Sequence, residues 1–282
     1  MSASSESMSY LRELVYRRSA IVLEADKHYL FDSRLTPVAR EIGLDSIDAL
    51  VQRMQREPAA PLLRRVVEAM TTNETLFFRD LHPFEALKSR LVPDVLAARA
   101  TQRSLRIWCA ASSTGQEPYS IAMTLREGFP ELTHWDVQII ATDINAAVLE
   151  RAREGKYRQL EVNRGLPAQL LLKYFDRGNA EWQVKQSIRE MVTFRELNLL
   201  DAWNIGPQDI VFLRNVLIYF DIATKRQILG RLRHTLRHDG FLLLGGAETT
   251  TNLDDGYASV RVGKGVYYQL KPVSEIAPPP AA

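Results

Sequence analysis

Hydrophobic residues recur every three or four positions from Tyr10 to about Met70, a spacing typical of amphipathic helices. The apolar positions form four stripes, the last with Pro61 in its first turn, and they predict four helices. Residues 1–7 are rich in serine, so we expect them to be loose. The pattern predicts an all-helical domain over residues 1–70. Its stripes are Leu11, Leu14, Val15, Ile21 and Val22; Tyr29, Leu30, Leu35, Val38 and Ile42; Ile47, Leu50, Val51 and Met54; and Leu62, Leu63, Val66, Val67 and Met70.

A different pattern starts at Leu105, where apolar runs of strand length alternate with helical stretches. Such alternation predicts an α/β domain with a mostly parallel sheet over residues 105–271. Gly263-Lys264-Gly265 separates the last two runs, which we expect to close the sheet as an antiparallel pair. The predicted strands are 105–110, 137–142, 191–197, 209–213, 241–244, 257–262 and 265–270, and the predicted helices are 117–128, 145–153 and 222–238.

Three further stretches fall outside these two patterns. Residues 157–190 interrupt the alternation with a helix over 167–174 and a polar, hairpin-like stretch around Gly178, which predicts a small inserted subdomain. Residues 71–104 form a linker that we expect to be mostly helical from 84 to 100. The tail at 272–282 is rich in proline, so we expect it to be disordered.

Composition narrows the functional classes. The chain has 282 residues, of which 46% are hydrophobic and 25% charged, with a net charge of +2. The helical domain carries ten basic and ten acidic residues, so no nucleic-acid partner is indicated. A basic face through Arg53, Arg56, Arg64 and Arg65 is an alternative to an ordinary solvated surface. Without an 18-residue apolar run or a signal sequence, we expect a soluble, cytoplasmic protein with no membrane insertion.

The stretch from Leu105 to Ile121 reads as a strand, a turn of small residues and a helix opening at Glu117. The turn holds one glycine, Gly115, where a dinucleotide fingerprint has three. A carboxylate at the helix start repels a pyrophosphate and suits an ammonium or hydroxyl group. This favours a ligand with an amino group and a sugar, such as S-adenosylmethionine. An ordinary strand–helix junction with a stabilising acid is the alternative.

A second acid, Asp143, ends the next predicted strand. In doubly wound sheets an acid at this position binds ribose hydroxyls, so the pair of acids favours a nucleoside ligand. Polar residues also precede Phe77, Phe78 and Arg79. Their alternative interpretation is a helix cap at Thr72 or Asn73 followed by two core aromatics. The single cysteine, Cys109, lies in the first strand and is interpreted as a buried thiol.

Five segments together resemble the CheR family of bacterial chemotaxis receptor glutamate methyltransferases. They occur in the family's order, and the resemblance covers roughly residues 10–270. It implies a helical domain joined to a class I methyltransferase domain with an inserted β-subdomain. It also implies S-adenosylmethionine as cofactor and glutamates on the cytoplasmic helices of chemoreceptors as substrate. The segments are Thr72–Arg79, Ala111–Ala122, Ala141–Ile144, Asn198–Leu200 and Arg214–Phe220.

The resemblance also implies roles for particular residues. Arg79 would pair with the methionine carboxylate of the cofactor, Glu117 with its amino group and Asp143 with its ribose hydroxyls. Arg79 and Tyr219 are the catalytic candidates. The remaining positions implied to line the cofactor are Asn73, Thr75, Asn198, Leu199, Asn215 and Val216. Each has a plainer alternative: Arg79 as a surface side chain, Asn215 as a strand-end cap and Tyr219 as a core aromatic.

Two positions depart from the family's pattern. Gln116 stands where the family often has a first glutamate, but the second acid, Glu117, is kept. The subdomain loop over 176–183 holds one glycine, whereas family members that bind a receptor C-terminal pentapeptide have a glycine-rich loop there. Glycines permit the close backbone approach that strand pairing needs, so we expect methylation that does not depend on the pentapeptide.

The expected reaction is in-line transfer of a methyl group from a sulfonium to a carboxylate oxygen. A glutamate with a pKa near ~4.3 is already ionised at neutral pH, so no general base is required. The five histidines show no metal-ligand spacing, and no metal is expected. The alternatives are a class I methyltransferase with another substrate and a non-catalytic module that binds the cofactor. We expect the protein to be a monomer.

Overall fold

The structure is a computed structural model that describes residues 3–24 and 27–272. Four helices form the N-terminal part, and their buried faces include Leu11, Phe31, Leu50 and Val66. They are α1 (Ser5–Ser19), α2 (His28–Glu41), α3 (Ile47–Arg56) and α4 (Ala60–Met70). Beyond Pro272, the tail predicted to be disordered lies outside the described residues.

Two expectations about the first helix are wrong. Residues 4–7 are not loose, because Ser4 caps α1 and its hydroxyl accepts the Ser7 N–H at 3.2 Å. Ile21 and Val22 do not continue the helix, because Ala20 adopts a left-handed conformation (φ 57°) that ends it. The segment after Ala20 instead contacts the second domain, where the Val22 N–H bonds the Tyr219 carbonyl at 2.9 Å.

The linker is helical over residues 82–98, with a π-helical turn in the middle. Residues 72–81 form no helix, and α5 (His82–Ala86) is followed by a π turn over Leu87–Leu91 and by α6 (Val92–Ala98). The prediction that the linker is mostly helical from 84 to 100 is therefore confirmed up to Ala98. At the π turn the Val92 N–H bonds the Leu87 carbonyl, five residues back, and Pro93 follows with no N–H of its own.

The second part of the chain is a doubly wound α/β domain. Its main sheet has seven strands, and only the last strand of the chain, Gly265–Leu270, runs antiparallel to the other six. Its elements are β1 (Ser104–Ala110), α7 (Gln116–Gly128), β2 (Asp136–Asp143), α8 (Ala146–Glu154), β3 (Lys156–Arg158), α9 (Gln159–Asn163), α10 (Ala168–Tyr174), β4 (Phe175–Arg177), β5 (Glu181–Val184), α11 (Gln186–Arg189), β6 (Val192–Glu196), β7 (Gln208–Leu213), α12 (Ile222–Thr235), β8 (Leu236–Leu244), β9 (Tyr257–Val262) and β10 (Gly265–Leu270). Two 3₁₀ turns, Pro130–His134 and Leu217–Tyr219, lie between them. The strands of the main sheet lie in the order β6-β2-β1-β7-β8-β10-β9.

The predicted fold class is confirmed: a mostly parallel seven-stranded sheet with a small inserted sheet and an N-terminal helical region. The inserted sheet is antiparallel, in the order β3-β5-β4. Trp108 and Cys109 face opposite sides of the main sheet, each within a separate apolar core. Because the parallel strands all end at one edge, the residues that follow them converge there.

The start of β8 differs from the prediction. The helix α12 ends at Thr235 rather than 238, and β8 already begins at Leu236. The register shifts between the Gln208–Leu236 pair and the Ile210–Phe241 pair, so residues 237–240 form an irregularity. These polar residues resemble a loop in the sequence, but Arg237 Nε lies 3.2 Å from the buried carboxylate of Asp209, which holds the strand in place.

Candidate functional site

A cavity lies at the carboxyl edge of the main sheet, with about 880 Å³ of empty space when the part open to solvent is included. All ten residues predicted to form the site line it: Asn73, Thr75, Arg79, Glu117, Asp143, Asn198, Leu199, Asn215, Val216 and Tyr219. They come from the linker, from the start of α7, from the end of β2 and from the segments that follow β6 and β7. Their individual roles towards a cofactor stay predictions.

The turn between β1 and α7 forms the floor of this cavity. Ala111, Ser113 and Gly115 have positive φ angles of 58°, 50° and 93°. A Cβ on Gly115 would lie 2.9 Å from the Ala152 Cβ, so the turn can pack against α8 only with glycine there. Small residues therefore bring the backbone close to whatever occupies the cavity, as the sequence pattern indicated.

Asp143 stands at the end of β2 with only 6% of its surface exposed. Its carboxylate accepts the Ser113 N–H at 2.8 Å and the Asn145 N–H at 3.0 Å. Burial raises the pKa of Asp143, and these backbone donors oppose that rise. A carboxylate can accept about four hydrogen bonds, so this one retains capacity for a pair of vicinal hydroxyl groups.

Arg214 connects two acids, Glu117 in the wall of the cavity and Asp80 in the turn of the linker. Its side chain is 1% exposed and lies 2.6 Å from Glu117 Oε2 and 2.6 Å from Asp80 Oδ2. Burial raises the pKa of Glu117, whereas the Arg214 charge lowers it. The cluster therefore presents a buried, cation-paired carboxylate at the start of α7.

Sequence reasoning assigned no role to Arg214. It lies in one of the segments that carry the family resemblance, directly after the apolar strand β7. That position was the available signal, because an arginine at the end of a buried strand needs an acidic partner. The partners, Glu117 and Asp80, are 97 and 134 residues away in the sequence, so spacing could not identify them.

Arg79 reaches the cavity from the linker. Its Nη1 donates to the Glu74 carbonyl at 3.3 Å, and the pKa of Glu117 is also lowered by its charge. The turn around it is unusual, since Phe78, Asp80 and Leu81 have positive φ angles of 50°, 67° and 43°. Such backbone persists only where neighbours hold it, and here Asp80 is bound to Arg214.

Residues 72–75 of the linker line the cavity and form no helix or strand. The interpretation of Thr72 or Asn73 as a helix cap is wrong, because no helix follows until His82. Asn73 Nδ2 donates to Thr71 Oγ1 at 3.0 Å, and the Asn73 carbonyl accepts the Ser113 hydroxyl at 2.7 Å. These bonds fix the linker against the β1–α7 turn.

Asn198 and Leu199 follow β6 and border the opposite side of the cavity. The Asn198 amide is already engaged: Nδ2 donates to the Arg18 carbonyl at 2.7 Å, and Oδ1 accepts the Leu200 N–H at 3.1 Å. The side chain of Leu199 is buried among apolar residues. Asn198 therefore ties the end of α1 to the cavity, and Leu199 offers an apolar surface suited to a flat heterocycle.

The segment after β7 completes the site. Asn215 has a positive φ of 58°, and Tyr219 closes the 3₁₀ turn. The Tyr219 carbonyl accepts the Val22 N–H at 2.9 Å, so the chain that follows α1 lies against this turn. Ser19 and Ile21 line the cavity as well, although sequence reasoning had placed neither in the site.

The residues present fit S-adenosylmethionine. Carboxylates at Glu117 and Asp143 can receive an ammonium group and a ribose diol, and Arg79 can receive a carboxylate. Two buried polar atoms at the cavity, Ser112 Oγ and Arg214 Nε, have no hydrogen-bond partner among the described residues. Buried polar atoms normally have a partner, so these two suit a polar ligand.

Comparison with known proteins gives two family matches. Residues 73–266 match the model for the CheR methyltransferase SAM binding domain, and residues 6–71 match the model for the CheR methyltransferase all-alpha domain. The domain boundaries drawn from the sequence at 70 and 104 stay predictions.

Named relatives cover almost the whole chain. Chemotaxis protein methyltransferase 1 of Pseudomonas aeruginosa is 45% identical over 278 residues, covering 96% of this chain and 100% of that protein. Chemotaxis protein methyltransferase Cher2 of Pseudomonas putida is 42% identical over 277 residues, with the same coverage. Chemotaxis protein methyltransferase 1 of Vibrio cholerae is 41% identical, covering 89% of this chain and 92% of that protein.

Proposed function

The chain belongs to the CheR methyltransferase family, and from this premise we propose that it methylates glutamate side chains on the cytoplasmic helices of chemoreceptors. It is an S-adenosylmethionine-dependent methyltransferase of chemotaxis adaptation. The observation that carries the proposal is one cavity that brings together Glu117, Asp143, Arg79 and Arg214. Their charges complement an amino acid joined to a nucleoside.

In the proposed arrangement each end of the cofactor has its own partner. Glu117 receives the ammonium group, Arg79 the carboxylate and Asp143 the ribose hydroxyls. Leu199 lies along the adenine, with Asn198 beside it. Asn73, Thr75, Asn215 and Val216 complete the walls, and Tyr219 borders the reaction centre. These assignments are supported by the position of all ten residues around the cavity.

The proposed methyl transfer needs no proton transfer by the protein. The cofactor, when bound, supplies an electrophilic methyl group on a sulfonium. A substrate glutamate is already ionised near neutral pH, so this chain needs only to align its oxygen and remove water from it. The linker over the cavity and the segment around Tyr219 would provide that alignment. We propose that Tyr219 directs the glutamate and that Arg79 acts through the cofactor's carboxylate.

Independence from a receptor pentapeptide is supported by the inserted subdomain. Its edge strand β4 has only three residues, and the turn to β5 is tight, with the Gly178 N–H bonded to the Glu181 carbonyl at 2.8 Å. A peptide added to such an edge finds few backbone partners. Titration of the protein with a receptor-tail pentapeptide is expected to give no saturable heat, and binding at micromolar concentration would contradict this.

We also propose a monomer that acts in the cytoplasm, where the receptor helices are. Within residues 3–24 and 27–272, no helix has the length and apolar character needed to span a bilayer. Light scattering on the purified protein is expected to give the mass of a single chain, 32.1 kDa. A mass twice that value would contradict the proposed monomer.

Radiolabelled methyl donor separates the proposed function from its rivals. With fragments of a receptor's cytoplasmic helices, we expect label that alkali releases, because methyl esters hydrolyse in base. Variants of the fragments with glutamine at the accepting positions serve as controls. Stable label on another acceptor would favour a different methyltransferase activity. Binding of the cofactor with no transfer to any acceptor would favour a non-catalytic module.

A further inference from the structure

A turn outside the cavity wall makes an unusual contact with the loop that follows β7. The turn runs from Gly245 to Glu248, directly after β8, and the Glu248 N–H bonds the Gly245 carbonyl at 2.9 Å. The partly buried Glu248 carboxylate accepts four backbone N–H groups. They are those of Gly245 (2.6 Å), Asn215 (2.7 Å), Val216 (2.9 Å) and Ile218 (3.3 Å).

Three of these four donors belong to the loop that contributes Asn215, Val216 and Tyr219 to the site. Asn215 is in a left-handed conformation, which turns successive N–H groups towards one side and forms a concave anion site. Hydrogen bonds to a charged carboxylate are about twice as strong as neutral ones. The loop is therefore held in a costly backbone conformation by a negatively charged group of the same chain.

Gly245 and the pairing of β7 with β8 allow the contact between the Glu248 turn and the loop. A Cβ on Gly245 would lie 2.7 Å from Asn215 Nδ2 and 2.7 Å from Glu248 Oε2, so only glycine lets the turn approach the loop. β7 and β8 are neighbours, with Leu213 opposite Leu244, so both segments leave the sheet side by side. The Glu248 carboxylate joins them across this gap.

We propose that Glu248 is a positioning residue for methyl transfer. It does not line the cavity, but it fixes the backbone of residues 215–218 and through it the directions of Asn215, Val216 and Tyr219. The proposal rests on the proposed function, because that function gives these three residues their roles. Glu248 acts through its contacts with the loop and touches neither cofactor nor substrate.

The first test compares Glu248→Gln with the wild-type protein. Glutamine keeps the volume but places an NH₂ group against N–H donors, so the loop loses half of its anchoring. We expect kcat to fall by about tenfold or more, with a smaller rise in KM for the methyl donor, because the reaction geometry suffers more than binding. Wild-type kcat and KM in this variant would overturn the proposal.

Asp254→Asn is the matched control. The Asp254 carboxylate also accepts a backbone N–H, that of Gly256 at 2.8 Å, and pairs with Arg233, but it bonds no part of the 215–218 loop. We expect its kcat and KM to match the wild type. Comparison of melting temperatures shows whether either variant acts through general stability.

A second test uses chemical rescue. Glu248→Ala leaves the four donors facing a gap of carboxylate size, so added acetate is expected to restore part of the activity. Chloride at equal ionic strength is expected to restore none, and wild type should not respond to either. Lost activity that acetate leaves unchanged would contradict an anchoring role for the carboxylate.

Amide hydrogen exchange makes the test independent of turnover. Exchange at residues 215–218 is expected to be faster in Glu248→Ala and slower again with acetate, whereas unchanged exchange would overturn the proposal. If wild type neither retains S-adenosylhomocysteine nor transfers methyl groups, the proposed function fails. The exchange experiment still decides whether Glu248 holds the loop.

Discussion

At the scale of single residues, Arg214 shows how charge is arranged at the cavity. It is buried and shared between Glu117 and Asp80, so one cation supports both the start of α7 and the turn that carries Arg79. Breaking a buried pair is costly, because it leaves an uncompensated charge. Arg79, by contrast, is only partly buried and bonds a backbone carbonyl, which leaves most of its donors available to a ligand.

The first prediction concerns Arg79. Arg79→Ala removes the proposed partner of the cofactor's carboxylate, a charge-assisted contact of about 1.5–3 kcal/mol. We expect calorimetry to show affinity for S-adenosylhomocysteine lower by about 10- to 100-fold. Arg177→Ala, which removes a surface arginine stacked on Trp182, should bind like wild type. Equal affinity in Arg79→Ala and wild type would contradict the assigned role.

For Tyr219 we predict an effect on turnover rather than on affinity. Its backbone is held by the Val22 contact, so Tyr219→Phe keeps the fold of the segment and removes only the hydroxyl. If that hydroxyl directs the glutamate, kcat should fall by about tenfold or more while affinity for S-adenosylhomocysteine stays near wild type. A methyl-transfer assay beside calorimetry measures both. Reduced affinity with unchanged kcat would place Tyr219 in cofactor binding instead.

The buried carboxyl of Glu117 should make stability and ligand affinity depend on pH. Burial raises its pKa, so the carboxylate is protonated at a higher pH than an exposed one. Its contribution to stability is therefore present at low pH and is lost as the pH rises through the raised pKa. Binding of a ligand ammonium group depends on pH in the opposite direction, because it needs the ionised form of Glu117. We expect affinity for S-adenosylhomocysteine to fall as pH is lowered from about 8 to about 5.

Glu117→Gln should weaken binding at neutral pH and remove most of this dependence on pH. Glu127→Gln is the control, since Glu127 lies on the same helix but pairs with Lys173 at the protein surface. It should keep the wild-type profile. A profile in Glu117→Gln that parallels the wild type would assign the titration to another group.

At the scale of elements, Asp209 shows why β8 begins earlier than its sequence indicates. This fully buried carboxylate in β7 meets Arg99 Nε at 3.0 Å and Arg237 Nε at 3.2 Å, and it accepts the Arg106 N–H at 2.8 Å. It therefore links the linker helix, β1 and the irregular start of β8. The start of β8 is therefore stabilised by ion pairs, whereas the other strands of the main sheet follow from their apolar residues.

Asp209→Asn should destabilise this end of the sheet. Removing one partner of a buried ion pair costs about 3–5 kcal/mol. Here the Asp209 charge is lost to both Arg99 and Arg237, although Arg99 keeps Asp239 as a second partner. We expect the free energy of unfolding in urea to fall by about 3 kcal/mol. Asp94→Asn, in an exposed pair with Arg90, should change it by less than about 1 kcal/mol. Similar small losses in both variants would contradict the importance of the Asp209 network.

At the scale of the whole molecule, the segment that follows α1 joins the helical region to the catalytic one. Ile21 packs against the core of the helices and against the core on one side of the sheet, and it also lines the cavity. Tyr16 adds a hydrogen bond to Asp221 at 2.6 Å. The cavity proposed to hold the cofactor is therefore lined by residues of both family domains rather than of the methyltransferase domain alone.

Ile21→Ala should consequently affect binding as well as stability. Truncation of a buried isoleucine costs about 2–5 kcal/mol, and this half-buried one should cost less, about 1–2 kcal/mol. We expect affinity for S-adenosylhomocysteine to drop by about three- to tenfold, seen as a smaller rise of melting temperature on adding the ligand. Ile42→Ala, on the far part of the helical region, should keep the full rise. An undiminished rise in Ile21→Ala would separate this segment from the site.

The sequence by itself determined the sheet and most helices, because strand and helix periods are local. The order of the strands placed Glu117 and Asp143 at one edge of the sheet, and the resemblance to the CheR family implied the other eight residues around the cavity. Only the tertiary structure decided the pairing of Arg214 with Glu117 and Asp80, the place of Ile21 in the wall and the anchoring of the loop by Glu248. Those contacts join residues far apart in the chain, and their partners follow from how elements pack rather than from any spacing within the sequence.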